Sequence, residues 1–257
     1  MRILITNDDG VTAPGIAALA RAVATTGHEV IVVAPAEERS GSGAAVGVLG
    51  HGTTIHVDEH DLGIAGVRAF GVDGPPACCS LMAFFEVFGP KPDLVLAGVN
   101  PGANTGRGLL QSGTVGAVLT AADLGISGAA ISQAYPGDGD YEQLFDSAAQ
   151  IAVTVLDWLI TLPRKTALNV NVPNVPIDQI AGFRWGRIAA FGPTSMTMVG
   201  SVPGPIQAVV KPRHVELKPD TDTALLTAGF VSITSLVTPR PTDPLDPSKL
   251  DEALRRV

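Results

Sequence analysis

The chain has 257 residues, of which 46% are hydrophobic and only 16% are charged, with a net charge of −8. This length suits one large domain or a domain with an appendage. The excess of acids is unfavourable for binding a nucleic-acid polymer, which requires Lys and Arg in number. Every apolar run is shorter than the roughly 20 residues that span a bilayer, so we expect no membrane partner.

The N-terminal segment predicts a βαβ unit. Residues 3–5 are bulky and β-favouring, and after Thr6 they are followed by Asn-Asp-Asp-Gly. A helix is expected to begin near Pro14, with Thr12 as its cap, and to end near Gly27. A second strand follows at 30–33. Because βαβ crossovers are right-handed, the two strands are expected to be parallel.

The same alternation of strands and helices continues to residue 172 and predicts an α/β fold with a mostly parallel sheet flanked by helices. We expect strands at 53–57 and 67–71 that form a hairpin. After them we expect a helix at 76–88, a strand at 93–97, a loop at 98–113, a helix at 114–124, a strand at 129–132, a helix at 141–162 and a strand at 168–172.

The composition changes after residue 176, where Pro and Gly become frequent. Segments 207–210 and 230–234 are typical of antiparallel strands, and the tail 246–257 could form a short polar helix. We therefore divide the chain into a core, 1–176, and a β-rich extension, 177–257, that is part of the same domain. The only cysteines, Cys78 and Cys79, are adjacent and form no disulfide framework, which predicts a cytoplasmic location.

Three loops follow the carboxyl ends of predicted strands, and such loops meet at one edge of a parallel sheet. The first carries Asp8 and Asp9, whose adjacent charges repel unless a cation lies between them. The second carries Arg39-Ser40-Gly41, and the third carries residues 98–114. These loops offer carboxylate, hydroxyl and amide oxygens without His or Cys, a set that suits Mg²⁺, Mn²⁺ or Ca²⁺ better than zinc.

The motif Ser112-Gly113-Thr114 precedes a predicted helix, and backbone N–H groups at a helix N-terminus bind anions. A metal beside a phosphate cradle indicates phosphoryl chemistry. Each motif alone has a simpler interpretation, since Asp-Asp-Gly forms turns, Ser40 in a Gly-rich loop faces solvent, and Ser112 caps helices. The three loops together favour the functional interpretation.

These motifs, in order and with fitting spacings over residues 1 to about 235, resemble the SurE family, whose members are divalent-metal-dependent 5′/3′-nucleotidases. The resemblance rests on Thr-Asn7-Asp8-Asp9-Gly10, Val-Ala-Pro35, Arg39-Ser40-Gly41, Gly98-Val-Asn100-x-Gly102-x-Asn104-x-Gly106, Ser112-Gly113-Thr114-Val-Gly116, the segment 168–173 and the segment 229–234. It implies a Rossmann-like core and a C-terminal part that exchanges elements between the subunits of a homodimer or homotetramer.

The resemblance further implies the roles of individual residues. One divalent cation per subunit, Mg²⁺ or Mn²⁺ with Ca²⁺ as a substitute, would be held by Asp8, Asp9, Ser40 and Asn100. Phosphate would be met by Asn104, Ser112, Gly113 and Thr114. We expect Asp8 or Asp9 to orient the attacking water, so that both are also candidate catalytic residues.

The chain departs from the family pattern at Gln111, where Tyr is usual, at Thr120, where Glu is usual, and in the segment 74–79, which includes Cys78. We therefore consider three functions. The first is hydrolysis of nucleoside 5′- or 3′-monophosphates to nucleoside and phosphate. The second is the same chemistry on a sugar phosphate or the phosphate of a specialised metabolite. The third, of another class, is a non-catalytic protein that binds nucleotide or metal.

Overall fold

The computed structural model describes residues 1–47, 49–135, 142–192, 194–212 and 216–239. Within these ranges the helices are α1 (Pro14–Ala24), α2 (Pro76–Phe84), α3 (Gly113–Asp123), α4 (Phe145–Leu159) and α5 (Asp222–Thr227). The strands are β1 (Arg2–Thr6), β2 (Glu29–Pro35), β3 (Val57–His60), β4 (Arg68–Val72), β5 (Leu94–Pro101), β6 (Ser127–Gln133), β7 (Ala167–Val172), β8 (Phe183–Trp185), β9 (Thr194–Gly200), β10 (Ile206–Pro212) and β11 (Val231–Leu236).

Nine of these strands form one mixed sheet in the order β3-β4-β2-β1-β5-β6-β7-β11-β8. The six strands from β4 to β7 in this order are parallel, whereas β3 and β11 run antiparallel to their neighbours β4 and β7. The chain therefore proceeds outward from β1 to β2 and β4, and then returns to the other side of β1 with β5. This reversal places a topological switch point between β1 and β5, which is where open α/β sheets bind ligands.

The central strands are apolar because helices cover both faces of the sheet. In β1, Ile3 and Ile5 pack toward α1 and α4, and Leu4 packs toward α2 on the opposite face. The small side chains of α3 form a third apolar cluster with β6. Since all three β1 side chains are fully buried, the sheet fixes the position of the residues that follow β1.

The structure confirms the predicted α/β class and most predicted elements, but three predictions are wrong. Helix α1 has Ala13 and not Thr12 at its N-cap, although Pro14 does occupy its first turn. The strand expected at 53–57 lies at Val57–His60, where it forms the expected hairpin with β4. The loop expected at 98–113 contains the end of β5 and a 3-10 helix, Gly106–Gln111.

Residues after 176 contribute to the sheet and also extend away from it. Strand β11 pairs with β7, and β8 pairs in parallel with β11 to form the edge. Strands β9 and β10 form a separate two-stranded antiparallel sheet. The tail helix expected at 246–257 lies outside the described residues, as does the first residue of the helix expected at 141–162, which begins at Phe145.

Candidate functional site

A tight turn directly after β1 carries the two adjacent acids. The Asn7 side chain is buried and donates a hydrogen bond from Nδ2 to the Gly10 carbonyl, 2.9 Å away. Gly10 has a φ of 105°, a backbone conformation that residues other than glycine rarely adopt. The turn therefore holds Asp8 and Asp9 at the switch point between β1 and β5.

The Asp8 carboxylate lies under the N-terminus of α3. It is 4% exposed, and its Oδ1 accepts a hydrogen bond of 2.6 Å from the Thr114 hydroxyl. Burial raises the pKa of Asp8, although hydrogen bonds from Thr114 and from the backbone of Gly113 partly oppose this rise. A Cβ at Gly113 would lie 2.8 Å from Asp8 Oδ2, so only glycine permits this approach of helix and acid.

The Asp9 carboxylate is in a more unfavourable environment for a charge. Burial, together with the charges of Asp8 and Glu38, raises the pKa of Asp9 to about 7. Its Oδ2 is buried, with no hydrogen-bond partner in the described part of the chain. A bound cation would remove both penalties, because it would offset the repulsion and coordinate the orphaned oxygen.

The second loop is held against both the first loop and α3. The Arg39 amide donates to the Asp8 carbonyl at 2.7 Å, and the Gly43 amide donates to the Gln111 carbonyl at 3.0 Å. Gly116 of α3 lies directly against Gly43, leaving no room for a Cβ. These contacts fix the backbone near Ser40, whose hydroxyl donates to Glu38 Oε1 at 2.9 Å.

Strand β5 is irregular where it approaches the site. Ala97 pairs with Ala130 and Asn100 pairs with Ser132, so three residue steps on β5 oppose two on β6. Such a bulge re-aims the side chains that follow it. Asn100 Nδ2 donates to the Gly102 carbonyl at 2.7 Å, which leaves the acceptor Oδ1 as the end of the amide available to a cation.

Asn104 is held in place by buried polar side chains of β6 and β7. Its backbone amide donates to Asn171 Oδ1 at 2.8 Å, and its carbonyl accepts from Asn171 Nδ2 at 3.0 Å and from Asn169 Nδ2 at 2.9 Å. Its own Nδ2 donates to Ser132 Oγ at 2.8 Å. Asn169, Asn171 and Ser132 are fully buried, so the segment around Asn104 has little freedom.

Ser112 is the N-cap of α3, where its Oγ accepts a hydrogen bond of 3.2 Å from the Val115 amide. Since Oγ acts there as the acceptor, the hydroxyl proton of Ser112 is available to another acceptor. Gly113 and Thr114 lie behind it and are directed at Asp8. The predicted contacts of Gly113 and Thr114 with phosphate therefore stay a prediction.

The site residues from the three loops surround one cavity of about 450 Å³. Six of the eight candidate residues line it, namely Asp8, Asp9, Ser40, Asn100, Asn104 and Ser112. The remaining described residues that line it are Glu38, Gly41, Pro101, Gly108, Gln111 and Tyr135.

Sequence reasoning missed two side chains that line this cavity, Glu38 and Tyr135, whereas Gln111, which also lines it, is one of the departures from the family pattern. Glu38 precedes Ser40 by two positions, so its position in the same predicted loop could have identified it as a site residue. Tyr135 follows β6, the strand next to β5, and the rule that strand ends converge would have included it.

Of the three departures from the family pattern, Gln111 lines the cavity, Thr120 donates within α3 to the Gly116 carbonyl, and Cys78 is buried in α2.

A second cavity, of about 270 Å³, lies between α4 and β8 and is mostly apolar. Its lining includes Trp158, Phe183 and Trp185, with Arg184 as its charged side chain. It contains no carboxylate among the described lining residues, and it is remote from the carboxyl ends of β1 and β5. The first cavity is therefore the candidate functional site.

The oxygen donors that line the cavity suit a hard divalent cation, and they include neutral ligands as well as carboxylates. Among the described residues, no three His, Cys, Asp or Glu side chains are grouped to hold a metal ion. The cavity instead combines two carboxylates, Asp8 and Asp9, with the neutral oxygens of Ser40 and Asn100. Mg²⁺ and Mn²⁺ favour such oxygen ligands and are commonly held by one or two carboxylates.

The chain is similar to proteins of one known family. The family model described as "Survival protein SurE" matches residues 3–192. The chain belongs to the SurE family. Two named relatives are the 5′-nucleotidase SurE of Geobacter sulfurreducens, 44% identical over 71% of this chain and 66% of the relative, and the 5′/3′-nucleotidase SurE of Erwinia tasmaniensis, 34% identical over 92% of this chain and 90% of the relative.

The match to the Geobacter sulfurreducens SurE thus spans just under two thirds of that protein, whereas the match to the Erwinia tasmaniensis SurE is nearly complete. The crystal structure of the SurE protein from Aquifex aeolicus superposes with a TM-score of 0.75 at 28% identity, covering 100% of this chain and 99% of the other. The Rossmann-like fold implied by the sequence is therefore that of SurE. In the described ranges of this SurE chain, no helix has both the length and the apolar character to cross a bilayer.

Proposed function

We propose that this SurE chain is a divalent-metal-dependent nucleotidase that releases phosphate from nucleoside 5′- or 3′-monophosphates. The observation that carries the proposal is the convergence of Asp8, Asp9, Ser40, Asn100 and Asn104 on one cavity at the switch point of the sheet. Family membership supports the same activity, because relatives that cover most of the chain are named nucleotidases.

In this proposal one divalent cation, Mg²⁺ or Mn²⁺, is held by Asp8, Asp9, Ser40 and Asn100. Support comes from Asp9 Oδ2, which is buried with no hydrogen-bond partner in the described part of the chain, and from the raised pKa of Asp9, which is caused by burial and by the charges of Asp8 and Glu38. When bound, the cation supplies charge neutralisation at the phosphate and makes a water more acidic.

The substrate phosphate would be met by Asn104 and Ser112. The rigid attachment of Asn104 to β6 and β7 supports this role, because preorganised donors stabilise developing charge without a further cost of reorientation. For Gly113 and Thr114 we propose that they orient Asp8, from the 2.6 Å hydrogen bond between the Thr114 hydroxyl and Asp8. Their contact with phosphate would then be indirect.

Of the two acids, Asp9 is the better candidate to orient the attacking water and accept its proton. Asp8 is almost completely buried and already engaged by Thr114, whereas Asp9 is partly exposed at the cavity. The structure contains no Ser or Cys positioned by a His base among the described residues of the cavity, so direct attack by water on phosphorus is the simpler mechanism.

A panel of phosphomonoesters tests the proposal. The metal-free protein would be assayed with nucleoside 5′- and 3′-monophosphates, sugar phosphates and glycerol phosphate, each with and without added Mg²⁺ or Mn²⁺. We expect metal-dependent release of phosphate, with nucleoside monophosphates preferred. Preference for a sugar phosphate would favour the specialised phosphatase, and tight nucleotide binding without phosphate release would favour a non-catalytic protein.

Glu38 is expected to strengthen binding of the cation. The Ser40 hydroxyl donates a hydrogen bond to Glu38 Oε1, which directs the lone pairs of Ser40 Oγ away from Glu38 and toward the cavity. Replacement Glu38→Gln should weaken binding of Mn²⁺, measured by isothermal titration calorimetry, by about tenfold.

The matched control is Glu37→Gln, which removes the same charge from the exposed neighbouring residue outside the described cavity lining. We expect its Mn²⁺ affinity to stay within about twofold of the unmodified protein, since exposed charges at a distance are screened. Equal weakening in both variants would mean that Glu38 acts only through net charge.

We further propose that the C-terminal part mediates assembly into a homodimer or homotetramer. Support comes from the exposed apolar face of the β9–β10 hairpin, where the cross-strand register aligns Met196 with Val210 and Met198 with Ala208.

The cytoplasmic location stays a prediction from the cysteines, both of which are free and buried in the structure.

A further inference from the structure

Asp222 connects the C-terminal part of the chain, the extension 177–257, to a loop of the candidate site. Its side chain is fully buried at the start of α5. Oδ1 accepts hydrogen bonds from the amides of Ala189 at 2.9 Å and Thr223 at 2.7 Å, and from the Thr223 hydroxyl at 3.3 Å. Oδ2 accepts a hydrogen bond of 2.9 Å from the amide of Gly106.

The Gly106 amide begins the 3-10 helix Gly106–Gln111, which leads into Ser112. Gly108, Gln111 and Ser112 line the cavity. A Cβ at Gly106 would lie 2.6 Å from the Phe191 carbonyl carbon, so this segment is pressed against the backbone of the C-terminal part. The loop is thus held at two points, by Asn171 at residue 104 and by Asp222 at residue 106.

We propose that Asp222 is a positioning residue for the substrate, which fixes segment 106–112 so that Gln111 and Ser112 are presented to the phosphorylated ligand. This inference rests on the proposed function. It gives the C-terminal part a role in the site of its own chain, through contacts 116 positions apart in the sequence.

Both oxygens of Asp222 are needed for this role. Substitution by Asn therefore tests it, because Asn keeps one acceptor oxygen and replaces the other with an NH₂ group. In Asp222→Asn the remaining oxygen can still accept from Ala189 and Thr223, where three donors meet. The new NH₂ group then faces the Gly106 N–H. Because both groups are hydrogen-bond donors, the loop loses its hydrogen bond to residue 222. The defect is directed at segment 106–112 and not at the proposed metal ligands Asp8, Asp9, Ser40 and Asn100.

The experiment compares Asp222→Asn with Asp220→Asn, which removes the same charge from an exposed side chain two positions away. Three quantities are measured: KM for adenosine 5′-monophosphate, Mn²⁺ affinity by calorimetry, and the rate of trypsin cleavage after the exposed Arg107. For Asp222→Asn we expect KM and the cleavage rate each to rise about tenfold, with Mn²⁺ affinity within about twofold of the unmodified protein. Asp220→Asn should behave as the unmodified protein in all three.

An Asp222→Asn protein with a lowered Tm but unchanged KM and unchanged cleavage after Arg107 would overturn the inference. Equal acceleration at every trypsin site would also overturn it, because that result indicates global instability. If Asp222→Asn does not fold, Gly106→Ala tests the same attachment from the loop side. Its Cβ would lie 2.6 Å from the Phe191 carbonyl carbon and would push the amide of residue 106 away from Asp222, so it should give the same pattern. Absence of turnover in the unmodified protein would refute the proposed function instead, while cleavage after Arg107 would still report whether Asp222 holds the loop.

Discussion

Replacement of Asp8 by Asn is expected to lower kcat/KM for nucleoside monophosphates by at least about a thousandfold. The substitution keeps the shape of the side chain but removes a charge from the centre of the proposed cation site. It also places an NH₂ group where Thr114 and the Gly113 backbone now donate. Steady-state release of phosphate at saturating Mg²⁺ or Mn²⁺ measures the effect.

The matched control for this variant is Asp61→Asn, an exposed acid whose side chain accepts a local hydrogen bond from Gly63. It should retain activity within about twofold, since exposed surface charges far from a site contribute little. Comparable activity of Asp8→Asn and the unmodified protein would contradict the assignment of Asp8. Full activity of the dialysed, unmodified protein in excess chelator would contradict metal dependence altogether.

The metal-free protein is expected to lose stability as the pH rises from about 4 through 7, because of Asp9. Its pKa is about 7 in the folded chain and 3.8 ordinarily, so between these values the folded state holds a proton that the unfolded state releases. This contribution to stability is fully present below pH 4 and is lost by ionisation through pH 7. The slope is at most about 1.4 kcal/mol per pH unit. Chemical unfolding in chelator at several pH values measures it.

The Asp9→Asn variant isolates this contribution from those of other acids. The stability of Asp9→Asn relative to the unmodified protein should grow with pH until about pH 7 and then level off. Saturating Mn²⁺ should reverse the trend for the unmodified protein, since a cation binds the ionised carboxylate and binds more tightly as pH rises. A difference between the two proteins that is independent of pH would show that Asp9 is not a repelled, buried carboxylate.

The edge of the sheet that carries the site could be predicted from sequence because the relevant signals are local. A short apolar run that ends at Asp8 and Asp9 identifies both the strand and the residues that follow it. The parallel order of βαβ units then brings the end of β5 beside them. Physical rules alone therefore predict the edge of the sheet at which the candidate site lies.

The residues that support the site could not be predicted in the same way. Asn171 contacts Asn104 across 67 positions and Asp222 contacts Gly106 across 116 positions, so no local pattern specifies either pair. Asn169 and Asn171 alternate with apolar residues in β7, which resembles a strand with one solvent-facing side, yet both are fully buried. The Gly and Pro residues near Asn100 also favoured a loop, and they concealed the continuation of β5 to Pro101.

The bulge in β5 determines which side of the sheet receives the Asn100 amide. With regular alternation residue 100 would share a face with Leu94 and Leu96, in the apolar layer against α1 and α4. Val99 occupies that layer instead. A strand of the same residues that paired without the bulge would therefore turn the Asn100 amide into this layer, so the irregular pairing of β5 matters as much as the identity of its residues.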